Sequence, residues 1–206
     1  MKTFEISESN LKNCEKEIET AKKMILGGKI ILCGTDTLYG LSTNALDKNA
    51  IEKIYLIKER DPKKPISISL GEKKQIENYV YVDETAKKII EKFMPGPITV
   101  ILKKKDIIPD ILGKDDVGVR IPDNDVIRKI AIVPLTTTSA NISGKTAPTS
   151  LEEVDQIIKE KVDLIVDTGP CKYKVQSTIV KVIDGKIELV REGKIPFEEI
   201  LKAVNE

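Results

Sequence analysis

Histidine and tryptophan are missing from the 206 residues of this chain, and only 4% of the residues are aromatic. Imidazole is a common general base and zinc ligand in enzymes. Its absence excludes Ser-His-Asp catalysis, Cys-His catalysis and histidine-bound zinc. An enzyme with this sequence has to work through charge, orientation, carboxylates, lysine or an oxygen-bound cation that arrives with the substrate.

Cysteine is scarce. Cys14, Cys33 and Cys171 are odd in number and far apart in the sequence. This spacing excludes a disulfide framework and a Cys-x-x-Cys metal or redox motif. We expect the three thiols to be small core residues.

Net charge and long apolar runs are lacking too. The 34 lysines and arginines against 33 aspartates and glutamates leave a net charge of +1, so any site for a polyanion must be local. We see no charged-then-apolar leader, and no apolar run approaches the length of about 20 residues that a membrane span requires. We therefore expect a cytoplasmic protein that does not contact a membrane.

Hydrophobic periodicity predicts helices and strands in alternation along the whole chain. The predicted helices cover residues 11–26, 47–58 with Asp47 as N-cap, 84–93, 124–131, 151–160 and a last segment from about Pro196. The predicted strands cover residues 30–33, 66–70, 98–103, 117–121, 133–138, 163–167, 176–183 and 187–190. The two types intermix without a linker or repeat, and 40% of the residues are hydrophobic. This pattern favours one α/β domain over residues 1–206, with a mixed, twisted open sheet and flanking helices.

The stretch SANISGKT (139–146) matches the last three fixed positions of a phosphate-binding P-loop, G-x-x-x-x-G-K-[ST]. However, Ser139 stands where the first glycine belongs, Pro148 comes three residues after Lys145, and the next helical pattern begins only near Ser150. We therefore do not expect a P-loop. A turn in which Asn141 or Ser143 bonds its own backbone is the simpler interpretation of the stretch by itself.

Two other segments carry pairs of polar residues spaced by two. Thr35 and Thr37 follow a predicted strand, and Lys58 and Arg60 follow a predicted helix. Loops beyond strand ends are where open α/β sheets bind ligands. Taken singly, the threonines would suit an ordinary turn, and the cations would suit a solvated helix C-terminus.

Arginine also stands at predicted strand ends. Arg120 closes the segment VGVR, Arg191 precedes Gly193, and Ser177 opens another predicted strand. The planar guanidinium offers paired donors to phosphate or carboxylate, although an isolated arginine is more often a surface ion pair.

Together these segments resemble the YrdC-like family, the threonylcarbamoyl-AMP synthases. The matching stretches come in family order and are GTDTLYGL (34–41), IYLIKERDPKKPISI (54–68), MPGPITVILK (94–103), VGVRIPDN (117–124), TTSANISGK (137–145), QSTIV (176–180) and LVREG (189–193). The resemblance implies a twisted sheet around a basic cavity. It also implies a nucleotidyltransferase that joins L-threonine, bicarbonate or CO2, and ATP with Mg2+ into threonylcarbamoyl-AMP and pyrophosphate.

The resemblance assigns roles to individual residues. The family's catalytic Lys-x-Arg and Ser-x-Asn tetrad falls on Lys58, Arg60, Ser139 and Asn141. The expected threonine-binding residues are Thr35, Arg120, Ser139 and Ser177. The expected ATP-binding residues are Lys58, Arg60, Asn141 and Arg191. Mg2+ would be held mainly by phosphate oxygens, without a protein metal site.

The resemblance further implies that partner proteins use the adenylate to modify tRNA, and it leaves direct contact with tRNA or double-stranded RNA open. One departure is Gly34, where the family commonly has proline. Two alternatives remain: a non-synthase relative that binds RNA or a nucleotide in the same cavity, and carbamoyl-adenylate chemistry like that of YrdC-like domains in hydrogenase maturation enzymes. Those domains sit in larger chains with acylphosphatase-like and zinc-finger portions.

Overall fold

A computed structural model describes residues 2–205, which form ten strands and six α-helices. The strands are β1 (Lys2–Glu5), β2 (Ile31–Gly34), β3 (Tyr39–Ser42), β4 (Ser67–Ser69), β5 (Ile98–Lys103), β6 (Asp116–Arg120), β7 (Leu135–Ser139), β8 (Leu164–Asp167), β9 (Thr178–Ile183) and β10 (Lys186–Arg191). The helices are α1 (Glu15–Leu26), α2 (Lys48–Ile57), α3 (Glu84–Phe93), α4 (Asp125–Ile130), α5 (Gln156–Glu160) and α6 (Phe197–Asn205). Three short 3-10 helices cover Leu11–Asn13, Lys73–Asn78 and Asp110–Leu112.

All ten strands belong to one mixed sheet with the order β1-β8-β2-β3-β7-β4-β6-β5-β9-β10. Parallel pairs such as β2 with β8 alternate with antiparallel pairs such as β2 with β3. Strand β7 joins the two halves, because Leu41 pairs with Thr138 on one side and Ser67 pairs with Thr137 on the other. The predicted mixed α/β fold is therefore confirmed.

Helices cover both faces of the sheet, which creates two hydrophobic cores. The first core receives apolar residues from α2, α3, α5 and α6, and the second receives them from α1 and α4. Strand β2 shows why: Leu32 packs in the first core, while its neighbours Ile31 and Cys33 pack in the second. Successive side chains of a strand point to opposite faces, so a strand buried on both faces has to be apolar throughout.

The helix boundaries follow local capping chemistry. The side chain of Asp47 accepts a hydrogen bond from the backbone N–H of Ala50, which confirms its predicted role as the N-cap of α2. Asp83 and Asn124 cap α3 and α4 in the same way. Gly27 and Gly28 end α1, and Gly28 has a φ of +66°, a conformation that favours glycine.

Some predicted boundaries were wrong. The helix predicted at 151–160 begins only at Gln156, because Asp155 caps a new start by accepting from the N–H of Ile157. The one predicted at 11–26 is split, since a 3-10 turn precedes α1 at Glu15. Strands β1 and β3 were not predicted. Both are four residues long. Strand β1 pairs with the distant β8, and β3 pairs with its neighbour β2 and with the distant β7.

Within residues 2–205, none of the helices combines the length and the apolar character that a membrane span needs. The assignment of residues 1–206 to a single domain stays a prediction, and its two end positions, 1 and 206, lie outside the described residues.

Candidate active site

A cavity of about 180 Å³ opens against the middle of the sheet. It is lined by residues of β3, β7, β4, β6, β5, β9 and β10, which are seven consecutive strands of the sheet order. Seven strands laid flat would span about 29 Å, given the spacing of about 4.8 Å between neighbours. Only strong twist and curvature bring all seven to one small cavity.

The lining is basic and rich in hydroxyl groups. Three arginines reach it, Arg60, Arg120 and Arg191, whereas no aspartate or glutamate of residues 2–205 lines it. Its hydroxyl residues are Thr35, Thr37, Tyr39, Ser67, Thr99, Thr137, Thr138, Ser139 and Ser177. Such a surface suits a small, multiply charged anion.

Six of the predicted site residues line this cavity: Thr35, Arg60, Arg120, Ser139, Ser177 and Arg191. The other two, Lys58 and Asn141, stand behind the wall formed by Ser139. The sequence pattern did not single out Tyr39, Ser67, Thr99, Thr137 or Thr138 as site residues. Their position follows from strand order, which local periodicity does not encode.

Arg120, at the end of β6, is held by three protein acceptors. Its Nε donates to the carbonyl of Gly96 at 3.2 Å, and one terminal nitrogen donates to the Thr37 hydroxyl at 2.8 Å. The other terminal nitrogen forms an ion pair with Asp36. Asp36 and Arg120 are only 1% and 3% exposed. Arg120 is thus a paired cation, and Asp36 is a site residue that the sequence interpretation missed.

Arg191, at the end of β10, is positioned by Ser177. Its Nε and one terminal nitrogen donate to the carbonyl of Ser177 at 3.3 and 2.8 Å. The Ser177 hydroxyl is in turn hydrogen-bonded to the Thr99 hydroxyl at 3.0 Å. Burial, together with the charge of Arg120, lowers the pKa of Arg191. The two arginines are therefore close enough for their charges to interact.

Gly193 permits the approach of β10 to Ser177. A Cβ atom at this position would lie 2.3 Å from the carbonyl oxygen of Gln176 and 2.5 Å from the carbonyl carbon of Ser177. Because both atoms belong to backbone, a side chain could be accommodated only by moving the backbone segment that leads into β9.

Arg60 belongs to the loop after α2 and is half-buried. Its Nε donates to the carbonyl of Lys64 at 3.1 Å, and a terminal nitrogen donates to the carbonyl of Pro65 at 2.9 Å. These bonds fold the loop around the guanidinium at the cavity wall.

Lys58 forms a clasp between α2 and the segment after β7. Its ammonium donates to the carbonyl of Ser139, to the carbonyl of Asn141 at 2.7 Å and to Oδ1 of Asn141 at 3.3 Å. Its own carbonyl accepts from the N–H of Ser143 at 2.9 Å. An ammonium has three protons, so these acceptors account for all of them.

Burial and the charge of Arg60 lower the pKa of Lys58 to about 7. The side chain is 2% exposed, so the ammonium has lost most of its water and depends on the three oxygens around it.

Asn141 completes the same cluster. Its Oδ1 accepts from the Ser139 hydroxyl at 2.5 Å, and its Nδ2 donates to the carbonyls of Ile142 and Lys145 at 3.1 and 2.6 Å. Three members of the predicted tetrad are therefore hydrogen-bonded to each other, and Ser139 is the member of this cluster that lines the cavity.

The Gly-Lys-Thr of SANISGKT does not form a phosphate loop. Lys145 lies in a turn and forms an ion pair with Asp155 at 3.5 Å, and the next helix begins only at Gln156. A P-loop needs a helix that starts at its lysine, so the sequence-based rejection of this motif is confirmed.

Thr35 shapes the β2–β3 loop. Its hydroxyl donates to the carbonyl of Leu38 at 2.7 Å and accepts from the N–H groups of Thr37 and Leu38, each at 3.2 Å. The residue before it, Gly34, has little space, because a Cβ there would lie 2.0 Å from the Thr168 hydroxyl and 3.0 Å from the Tyr39 ring. The glycine therefore fits the packing of this chain.

The three cysteines are free, and Cys33 and Cys171 are buried, as predicted, while Cys14 packs partly buried against the second core. Burial raises the pKa of Cys171 to about 11 and that of Cys33 still further. Neither thiol would be a nucleophile near neutral pH.

The fold and the cavity together define an α/β protein with a basic, hydroxyl-lined cavity inside a curved mixed sheet. The comparison with known families agrees. The family model described as "Sua5_yciO_yrdC: Telomere recombination" matches residues 23–193. The chain belongs to this Sua5/YciO/YrdC family.

Several relatives carry a functional name. A putative threonylcarbamoyl-AMP synthase of Methanocaldococcus jannaschii is 54% identical over 201 residues, which cover 98% of this chain and 97% of the relative. The threonylcarbamoyl-AMP synthase of Pyrococcus abyssi is 35% identical over 198 residues, which cover 93% of this chain but 58% of that protein. The crystal structure of P. abyssi Sua5 complexed with L-threonine matches with a TM-score of 0.89 at 33% identity and covers 100% of this chain and 60% of that one.

Proposed function

We propose that this protein is a threonylcarbamoyl-AMP synthase, a nucleotidyltransferase that joins L-threonine, bicarbonate or CO2, and ATP. The observation that carries the proposal is the lining of the cavity. Arg60, Arg120 and Arg191 lie there among hydroxyl groups, and no aspartate or glutamate of residues 2–205 lines it. The names of the relatives at 54% and 35% identity support the same activity.

The reaction needs no protein nucleophile. The amine of threonine adds to CO2 and loses a proton, which gives a carbamate; when bicarbonate supplies the CO2, one water is released. A carbamate oxygen then forms a bond to the α-phosphorus of ATP, and the bond from that phosphorus to the bridging oxygen of pyrophosphate breaks. The protein has to bring two anionic reactants together and stabilise the charge on the leaving pyrophosphate. A site of arginines and hydroxyls can do both without histidine.

We assign the threonine side of the cavity to Thr35, Arg120, Ser139 and Ser177, and the phosphate side to Arg60 and Arg191. Lys58 and Asn141 complete the predicted ATP-binding set. Because their polar atoms are already hydrogen-bonded, we propose that they act on ATP through the position of Ser139 and through the charge of Lys58.

Magnesium enters as part of the substrate MgATP. Among residues 2–205, no group of three or more cysteine, aspartate or glutamate side chains is arranged to hold a metal ion. The phosphate oxygens would therefore be the main ligands of Mg2+, which normally retains several waters as well.

The alternative of a non-catalytic protein that binds RNA or a nucleotide in this cavity is less well supported. Backbone binding of RNA grows with the number of cationic contacts, and the chain has a net charge of only +1. Transfer of the adenylate to partner proteins that modify tRNA, direct RNA contact and a cytoplasmic location all stay predictions from the family resemblance and the sequence.

The test is to incubate the purified protein with ATP, Mg2+ and bicarbonate, with and without L-threonine, and to follow pyrophosphate and the adenylate by mass spectrometry. We expect threonylcarbamoyl-AMP only when all components are present. The variant Arg60→Met should lose most of this activity, whereas Lys53→Met, an exposed cation on α2, should keep it. Binding of ATP without an adenylate from any amino acid would refute the synthase and favour the binding protein.

A further inference from the structure

Asp36 connects two parts of the sheet that are distant from each other. It lies in the loop between β2 and β3, and its partner Arg120 ends β6. In the sheet order, β3, β7 and β4 lie between β2 and β6, so the ion pair joins strands that are not neighbours in the sheet. The carbonyl of Asp36 also accepts from the N–H of Tyr173 at 2.7 Å, which fixes the loop from its other side.

The contact with Asp36 determines what Arg120 can still bind. A guanidinium has five N–H donors, and three of those in Arg120 are used by Gly96, Thr37 and Asp36. The remaining two, one on each terminal nitrogen, have no acceptor in residues 2–205. Two donors match the two oxygens of one carboxylate. The negative charge of Asp36 meanwhile compensates the positive charge of Arg120.

The other two arginines of the cavity lack such compensation. Arg60 donates to backbone carbonyls and Arg191 donates to the carbonyl and hydroxyl of Ser177. In residues 2–205 neither guanidinium forms an ion pair with a carboxylate. Both therefore keep a full positive charge toward the cavity, which favours a polyanion such as a phosphate chain over a single carboxylate.

The pair of Asp36 and Arg120 is not arranged for maximal stability. Oδ2 of Asp36 is buried and has no hydrogen-bond partner among the described residues. A buried polar atom without a partner is unfavourable, and buried ion pairs are often no more stable than apolar replacements. Such a pair is better explained by what it positions than by what it adds to the stability of the fold.

We propose that Asp36 is a positioning and specificity-determining residue: by orienting Arg120 and offsetting part of its charge, it reserves this end of the cavity for the carboxylate of an amino acid and leaves phosphates to Arg60 and Arg191. The proposal rests on the proposed function, since it sorts the two substrates of that reaction. Specificity of this kind depends on disfavouring the wrong ligand as much as on binding the right one.

The first measurement uses the unmodified protein. L-Threonine is titrated by isothermal calorimetry alone and again with saturating inorganic pyrophosphate. We expect the Kd for threonine to change by less than about threefold, because the two ligands use different arginines. A Kd that rises in proportion to pyrophosphate would show that both compete for one site and would overturn the proposal. Absence of any threonine binding would overturn it too.

The second measurement uses Asp36→Asn, which removes the charge and keeps the shape, with Asp110→Asn as the control. Asp110 is ion-paired to Lys104 at 2.8 Å and does not line the cavity. In Asp36→Asn we expect threonine to bind at least about tenfold more weakly and pyrophosphate to become a competitor. The control should behave like the unmodified protein.

A cooperative melt will show whether Asp36→Asn is folded. If the folded variant binds threonine as the unmodified protein does, and pyrophosphate does not compete, the proposed role of Asp36 is refuted. If this variant does not fold, the competition measurement on the unmodified protein decides. Adenylate formation is measured separately. If no adenylate forms but threonine and pyrophosphate bind as expected, the synthase activity is refuted and the assignment of the two ligands to different arginines stands. If adenylate forms but the two ligands compete, only that assignment is refuted.

Discussion

Replacement of Lys58 by methionine tests the clasp between α2 and the segment after β7. Methionine is apolar and nearly as long as the lysine stem, so it keeps the packing and removes the three hydrogen bonds from the ammonium. Two backbone carbonyls, those of Ser139 and Asn141, lose this donor. The third acceptor, Oδ1 of Asn141, keeps its bond from the Ser139 hydroxyl.

The expected loss of stability follows from these two carbonyls. A hydrogen bond contributes about 1 kcal/mol net, and Ser139 and Asn141 are only half-buried, so water can replace part of what is lost. The free energy of unfolding should therefore fall by about 2 kcal/mol. For a chain of this length, such a loss lowers Tm by about 4–8 °C. The protein should remain folded at 25 °C.

The loss of local protection in the segment after β7 should exceed the loss in the global free energy of unfolding. Backbone amides of residues 139–145 should exchange with deuterium faster in Lys58→Met, because the segment has lost its attachment to α2. Thermal unfolding and hydrogen exchange read by mass spectrometry measure both effects at pH 7. Lys53→Met is the matched control, since Lys53 is exposed on the same helix and has no partner in residues 2–205. If Lys58→Met melts and exchanges like this control, the clasp does not hold the segment and the reasoning fails.

Three further predictions concern protonation and the neighbours of Arg191. Lys58 has a pKa of about 7 in the folded protein against an ordinary value of 10.5, so between these values the unfolded chain binds more protons. The stability of the unmodified protein relative to Lys58→Met should then rise by up to about 4 kcal/mol from pH 7 to pH 10, as measured by urea melts, and a fall would contradict the sign. Gly193→Ala should cost about 3 kcal/mol and most of the activity, because its Cβ would collide with the backbone of Gln176 and Ser177; an unchanged melt would disprove the close approach. Arg191→Lys should reduce kcat/KM for ATP by about tenfold, since a lysine cannot bond the Ser177 carbonyl through two nitrogens; equal kcat/KM would show that only charge matters at this position.

Much of the fold could be predicted from local signals. The capping of α2 by Asp47 and the end of α1 at Gly27 are decided by residues next to one another in sequence. Strand β5 was predicted with its observed bounds, 98–103, because its residues are mostly apolar and rich in β-branched side chains, which is typical of a buried strand. Strand β3 was missed since Gly40 weakens its local preference and its pairing comes from β2 and β7.

The site could be predicted only in part. Arg120 and Arg191 stood out as strand-end cations, and Lys58 and Arg60 stood out as a polar pair after a helix. The family resemblance assigned the roles of these residues and of Asn141. Asp36 was missed because its importance comes from a partner that lies far along the chain and three strands away in the sheet. Likewise, the position of Lys58 behind the cavity wall depends on how α2 packs beside the end of β7. Sequence spacing shows which residues are available, but long-range packing decides which of their donors remain free.

The cavity residues are spread along the chain, and this determines when the cavity forms as the chain is synthesised and folds. The lining begins at Thr35 and ends at Arg191, and every strand from β3 to β10 in sheet order contributes to it. Contacts between residues so far apart require the closure of long loops, which occurs late in folding. A growing chain therefore has no complete cavity until Arg191 has left the ribosome. The capacity to bind substrate should arise in one step, once the segment that carries Arg191 has joined the sheet, without a partly active intermediate.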